Sequence, residues 1–324
     1  MAAGRQVSRV LVEKFSTELL DWLRARAEVV VVDPWAEPER WESEASQVDA
    51  VISRKGRITR QHMERSKGKL KIVARTGVGV DASRIDVEAA REHKVWVTNN
   101  PGVNAAAVAE LTFAQMIGLA RHTVEADRAV KDNRWGDYLR FTGIELAGRT
   151  LGIVGMGNIG TRVALRARAF EMQLLVCDPY VPQSHVTALN GRWVDLEELF
   201  AESDFVTLHL PYNKETRHIV GERQLSRMKK SAYLVNLARG GVLDEDALYK
   251  ALVEKRIAGA AIDVLETEPP RKDHPLLKLD NVLLTPHIGG STREATLRGE
   301  RGAAEEVVRV LEGKAPRNPV FQLE

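Results

Sequence analysis

At 324 residues, with 44% hydrophobic and 28% charged side chains, the chain is too long for one ordinary domain and too apolar for a disordered or fibrous protein. Its 47 basic and 45 acidic residues nearly cancel, so no net field draws it to nucleic acid or to an anionic membrane. A single cysteine, Cys177, excludes an internal disulfide or a cysteine metal cage, and within "LLVCD" it reads as a core residue. The N-terminal apolar patch is too short for a signal peptide, and no segment is long and apolar enough to span a bilayer, so the expectation is a cytoplasmic protein.

Five short runs rich in valine and isoleucine come first: "RVLVEKF" (9–15), "EVVVVD" (28–33), "DAVISR" (49–54), "KIVARTG" (71–77) and "VWVTNN" (95–100). Amphipathic stretches such as "TELLDWLRARA" separate them, which is the pattern of βα units on a parallel sheet. From Asn104, a fair N-cap, the apolar spacing predicts one long helix through residue 133. A second series follows, with strands expected in "RTLGIVGMG", "QLLVCDP", "DFVTLHL", "AYLVNLA", "AGAAID" and "NVLLTPH". Six parallel strands complete a doubly wound dinucleotide domain. A final helical segment, "STREATLRGERGAAEEVVRVLEG", is long enough to return to the first domain.

The expected fold is therefore α/β, with two Rossmann-like domains built on parallel sheets. The first is discontinuous and flavodoxin-like, residues 1–98 and 290–324, and the second, residues 99–289, is inserted into it. Hinges are expected at "NNPG" and "HIGGS", where glycine and proline permit abrupt changes of direction.

In "LGIVGMGNIGTRVALRARAF", Gly155, Gly157 and Gly160 follow an apolar run and open a helical pattern. Gly155 permits the tight turn, Gly157 lets the backbone approach a pyrophosphate, and Gly160 lets the helix pack closely on the strand. A bare G-x-G-x-x-G is weak evidence. Here the next strand ends in Asp178, eighteen residues after Gly160, where a carboxylate accepts hydrogen bonds from a ribose diol and repels a 2′-phosphate. The cofactor expected is NAD rather than NADP, and no metal is implied.

Arg239, Glu268 and His287 stand after three consecutive late strands. Ligands bind outside the carboxyl ends of strands in open parallel sheets. Hydride transfer between a nicotinamide and a 2-hydroxy or 2-keto acid needs a proton exchanged at oxygen and a cation for the carboxylate. His287 suits the acid/base role, Glu268 orients and stabilises its protonated form, and Arg239 grips oxygens through its planar fork. Gly240 and Gly241 are expected to clear room beside it for substrate and cofactor.

From Val48 onward the motifs "RTGVGVD", "NNPGVNAAAVAEL", "GRTLGIVGMGNIG", "HLPYNKETRHIV", "NLARGGVLDEDAL", "AAIDVLETEPP" and "LLTPHIGGSTREA" resemble those of the D-isomer-specific 2-hydroxyacid dehydrogenases. The resemblance implies that Arg239, Glu268 and His287 are the catalytic three. It implies that Asn158, Ile159, His209, Pro211, Thr216, Ala238 and Gly290 lie along the NAD site, with Asp263 facing the nicotinamide amide. Amides at Val78 and Gly79 are implied to hold the substrate carboxylate, and Asn104 to line the cleft between domains. Residues 102–150 match the region through which members of the family dimerise.

The motifs order the candidate substrates: D-3-phosphoglycerate first, then hydroxypyruvate or glyoxylate, then another anionic acid such as sulfolactate. Arg54 and Lys55, with Arg57, either meet a substrate phosphate or sulfonate or form a solvated basic loop. The chain stops at Glu324, so serine feedback through a C-terminal regulatory extension is not expected. "VGVDASRID" is two residues longer than the family's usual turn, which puts the shape of the carboxylate loop in question. A different class, an NAD(H)-sensing protein akin to transcriptional corepressors, shares the same site residues, and the absence of long polar extensions argues against it.

Overall fold

The computed structural model describes residues 7–80 and 84–323. The chain divides into two compact units, residues 1–104 with 291–324, and residues 105–290. The extra turn expected at "VGVDASRID" falls largely on residues 81–83, outside the described residues.

In the first unit, among the described residues, five parallel strands pair in the order β2-β1-β3-β4-β5: β1 (Arg9–Val12), β2 (Glu28–Val31), β3 (Ala50–Ser53), β4 (Ile72–Arg75) and β5 (Trp96–Thr98). That is the flavodoxin-like order. Alternation along the strands sends Leu11, Val51, Val73 and Val97 to one face with Trp41 and Met63. Val10, Val12, Ile52, Ile72 and Ala74 go to the other, against Ala303, Ala304 and Val307 of the C-terminal helix Arg293–Leu311. Burial on both faces is why the strands read as unbroken apolar runs. The C-terminal helix starts where Thr292 accepts a capping bond from Ala295 N.

The second unit carries a seven-stranded parallel sheet among the described residues, in the order β12-β11-β10-β9-β6-β7-β8. The strands are β6 (Thr150–Val154), β7 (Gln173–Cys177), β8 (Gly191–Trp193), β9 (Phe205–Leu208), β10 (Tyr233–Asn236), β11 (Gly259–Ile262) and β12 (Val282–Leu284). The order reverses between β6 and β9, so a crevice opens at their carboxyl ends, as in dinucleotide domains. Phe205 and Leu151 lie fully buried beneath it with Met116 from the helix Ala105–Arg121.

Two expectations are corrected. The strand β8 was not foreseen: an edge strand of three residues, "GRW", has no apolar run to announce it. The single helix over 104–133 is two, Ala105–Arg121 and Thr123–Lys131, parted at His122 in the left-handed region with φ 52°. The carbonyl of Ala120, which a continuous helix would give to Val124 N, accepts instead from Ile144 N at 2.9 Å.

Candidate active site

The glycine loop joins β6 to the helix Asn158–Ala169. Gly155 has φ +94°, and a Cβ there would lie 2.6 Å from the His209 carbonyl oxygen; one at Gly160 would lie 2.1 Å from the Gly155 carbonyl oxygen. The loop thus closes only with glycine at both positions. A Cβ at Gly157 would meet nothing within 4 Å, and the helix that follows has no side-chain cap. Its first-turn N–H groups, beginning at Asn158 and Ile159, are thus left without a side-chain cap, the condition under which a helix N-terminus takes an anion. These features fit the pyrophosphate of a dinucleotide.

Asp178, buried after β7, ties this loop to the next: Oδ2 accepts from Met156 N at 2.7 Å and Oδ1 from Tyr180 N at 2.8 Å. Each carboxylate oxygen keeps a further lone pair for a ligand hydroxyl. Tyr180 reaches across to Glu215 (3.1 Å), and Thr216 folds its own loop by donating to the Pro211 carbonyl at 2.6 Å. His209 lies at the end of β9, with Nε2 3.0 Å from Thr207 Oγ1. Desolvation pushes its imidazole down to about 3, so it is neutral across the working range of pH. Cys177 at the end of β7 is pushed up to about 11, first by burial and then by Asp178, in keeping with an inert thiol.

Arg239, Glu268 and His287 follow β10, β11 and β12, which are neighbours in register: Asn236 opposes Ile262, and Ile262 opposes Leu284. Asn236, fully buried, staples the turn that presents Arg239, accepting from Ala238 N at 3.0 Å and donating to the Arg239 carbonyl at 3.1 Å. Arg239 Nη1 donates to the Ala238 carbonyl at 2.6 Å. Nδ1 of His287 and Oε2 of Glu268 are 2.7 Å apart. A carboxylate only accepts, so the proton sits on Nδ1 and Nε2 is the nitrogen left for chemistry.

The His287 loop is hung from Asp263. Its carboxylate accepts from Thr285 Oγ1 at 2.5 Å, Ile288 N at 2.9 Å and Gly289 N at 2.8 Å, while its carbonyl accepts from His287 N at 2.8 Å. Gln115 donates to Thr285 Oγ1 at 2.8 Å. These bonds hold His287 in the left-handed region, φ 53°, in the loop that leads to Gly290. Asn236, Gln115 and Thr285 were not foreseen as site residues, because a lone polar residue near a strand gives no signal until its partner is known.

The glycines after Arg239 correct an expectation. A Cβ at Gly240 would lie 2.1 Å from the Leu265 carbonyl carbon, and one at Gly241 would lie 2.5 Å from the Tyr212 ring. The space they clear is filled by the protein itself.

In the first unit, Val78 and Gly79 lie half-buried in the turn after β4. Asn104 Oδ1 is buried without a hydrogen-bond partner among the described residues, so it does not act as the expected cap. Arg54 and Lys55 are exposed, but their backbone amides are not available to an anion. Buried Glu13 takes them: its Oε1 accepts from Arg54 N at 2.8 Å, Lys55 N at 2.6 Å and Gly56 N at 2.7 Å.

Among the described residues, no helix is long and apolar enough to cross a membrane. Residues 113–289 match the family model described as D-isomer specific 2-hydroxyacid dehydrogenase, NAD binding domain. The chain is 47% identical over 274 residues to a D-3-phosphoglycerate dehydrogenase of Methanocaldococcus jannaschii, covering 84% of this chain and 51% of that protein. It therefore spans about half the length of that relative. It is 40% identical over 302 residues to a hydroxypyruvate reductase of Thermotoga maritima, covering 92% and 95% of the two chains. The crystal structure of the TT0316 protein from Thermus thermophilus is similar with a TM-score of 0.87 and 38% identity, over 97% of this chain and all of that one. With a glycine loop shaped for a dinucleotide and a histidine–carboxylate pair at the ends of β11 and β12, the chain belongs to the D-isomer-specific 2-hydroxyacid dehydrogenase family.

Proposed function

We propose that the protein is an NAD-dependent oxidoreductase interconverting a small anionic 2-keto acid and its D-2-hydroxy acid, with D-3-phosphoglycerate as the first candidate. The observation that carries this reading is the 2.7 Å contact of His287 Nδ1 with Glu268, which leaves Nε2 as a proton-exchanging atom beyond the carboxyl ends of an NAD-type sheet. The second unit is the NAD-binding domain and the first the substrate-binding domain. Gly155, Gly157, Gly160 and the helix beginning at Asn158 hold the pyrophosphate, and Asp178 holds the ribose diol. The cofactor, when bound, is the donor or acceptor of the hydride.

In the reducing direction His287 gives its Nε2 proton to the carbonyl oxygen as that oxygen becomes a hydroxyl; in the oxidising direction it takes the proton back. Glu268 fixes the tautomer by accepting the Nδ1 proton. Both side chains are more than a third exposed, so solvent screening holds the stabilisation by this bond to about 1 kcal/mol or less, and its value is in orienting the ring. Arg239 spends one donor on the Ala238 carbonyl, and the rest of its fork serves the keto and carboxylate oxygens. Val78 and Gly79 offer amides to the substrate carboxylate.

The Arg54–Lys55 loop supports a substrate with a second anionic group, through side chains alone, since Glu13 holds its amides. Hydroxypyruvate or glyoxylate is the alternative substrate, consistent with the mixed names of similar proteins. Exposed Trp135, Tyr138 and Leu139, with Val124 and Val130, support a homodimer formed through residues 102–150. The setting that fits best is the cytoplasm.

NADH oxidation with 3-phosphohydroxypyruvate, hydroxypyruvate, glyoxylate and 3-sulfopyruvate tests the reading. The largest kcat/KM is expected with 3-phosphohydroxypyruvate. A preference for another acid changes the substrate only; no turnover on any, with tight NADH binding, overturns the enzyme and favours a sensor.

A further inference from the structure

The turn after β4 is held from behind by the two residues that follow β5. Asn99 Nδ2 donates to the Val78 carbonyl at 2.7 Å, and Asn100 N donates to the Gly77 carbonyl at 3.0 Å. Asn100 Nδ2 donates to the Arg75 carbonyl at 2.8 Å and to the Gly299 carbonyl of the C-terminal helix at 3.1 Å. Three carbonyls within four residues are thus drawn to one side by two adjacent asparagines.

A trans peptide carries its C=O and the following N–H on opposite edges of one plane. With the carbonyls of Gly77 and Val78 turned toward Asn100 and Asn99, the N–H groups of Val78 and Gly79 are turned the other way. Two successive N–H groups on one side of a turn make a small concave anion site. Donors fixed in advance need no reorganisation when the anion arrives.

We infer that Asn99 is a positioning residue: its side chain fixes the plane of peptide 78–79 and, with the Asn100 backbone N–H that holds peptide 77–78, aims the amides of Val78 and Gly79 at the substrate carboxylate. This rests on the reading of those amides as the carboxylate-binding pair. The side-chain chemistry is specific to the task. An aspartate at 99 would set an acceptor and a negative charge against a carbonyl, and an alanine would leave the plane 78–79 free to turn. Asn99 is half-buried, whereas Asn100 also ties down the C-terminal helix, so Asn99 is the position at which aiming separates from folding.

The experiment uses the full chain with NADH and the keto acid that it turns over fastest, with oxamate as a non-reducible carboxylate probe. In Asn99→Ala the KM for the acid and the Ki of oxamate are expected to rise together by about tenfold or more, with kcat at saturation within about threefold and the NADH Kd unchanged. Unchanged KM and Ki, or a loss confined to kcat, would overturn the inference. The isosteric Asn99→Asp is read the same way if the alanine variant does not fold, and its KM and Ki are expected to rise further. Absence of turnover in the unaltered protein refutes the enzymatic reading instead, so the two failures are distinguishable.

Discussion

Nδ1 of His287 lies 2.7 Å from Oε2 of Glu268, and the other oxygen of that carboxylate accepts from Leu265 N at 3.2 Å. The carboxylate is thus held at both ends, by the imidazole it orients and by the backbone of its own loop. His287→Ala is expected to cut turnover about a hundredfold or more with the NADH Kd retained, as measured by steady-state rates and nucleotide fluorescence. Glu268→Gln keeps an acceptor for Nδ1 but loses the charge, so a smaller fall, about tenfold to a hundredfold, is expected. Unchanged turnover in His287→Ala would remove that residue from the acid/base role.

Asp263 supports the same histidine from beneath. Its buried carboxylate takes three donors of the loop 285–289, and Asp263→Ala would strand all three. Of the three only Gly289 N is fully buried, and one unsatisfied buried donor costs about 1–3 kcal/mol. The variant is expected to melt several degrees lower and to lose most of its turnover. A normal melting temperature with activity intact would show that the loop holds itself.

Asp178 braces the glycine loop through Met156 N, and the proposed function gives it a second duty, meeting the ribose. In Asp178→Ala the KM for NAD is expected to rise about tenfold or more and the preference for NAD over NADP to shrink, read from kcat/KM with each cofactor. An unaltered ratio would mean that the ribose is read elsewhere.

His209 sets a stability profile. Its folded value is about 3 against an ordinary 6.5, with desolvation as the cause. Between those values the unfolded chain binds a proton that the folded chain refuses, so stability falls as the pH drops from 6.5 toward 3 and is untouched above 6.5. His209→Gln should remove about 1 kcal/mol of that acid loss for each pH unit below 6.5. Parallel urea titrations at pH 7 and pH 5 check it, and an identical pH dependence in the two proteins would refute it.

The strands were legible because a parallel sheet covered on both faces must be written as short apolar runs, and β3 and β4 are buried at every position. The edge strand β8 needs no such run, and the helix break at His122 is set by Ile144 taking a carbonyl from a distance in sequence that no local pattern records. Arg239, Glu268 and His287 stood out as candidates because each is a chemically costly residue after an apolar run, and the structure brings two of them, Glu268 and His287, into contact. Asn99, Asn236 and Glu13 did not stand out: each is an ordinary polar residue whose partners are backbone groups two to forty-three positions away.

Gly240 and Gly241 separate two explanations of one sequence feature. If the pair cleared room for ligand, alanine at either position would hurt substrate or cofactor binding alike. The geometry predicts asymmetry instead. A Cβ at Gly240 strikes the Leu265 carbonyl, a backbone group that cannot rotate away, and Leu265 N is one of the two donors that hold Glu268. A Cβ at Gly241 strikes the ring of Tyr212, which is 54% exposed and free to swing outward. Gly240→Ala is therefore expected to lower kcat about a hundredfold through displacement of the Glu268–His287 pair, with a lower melting temperature and little change in NADH Kd. Gly241→Ala should stay within about threefold of the unaltered enzyme in kcat. Equal losses in the two variants, or a Gly240→Ala defect expressed in KM alone, would return the pair to the ligand-clearing role.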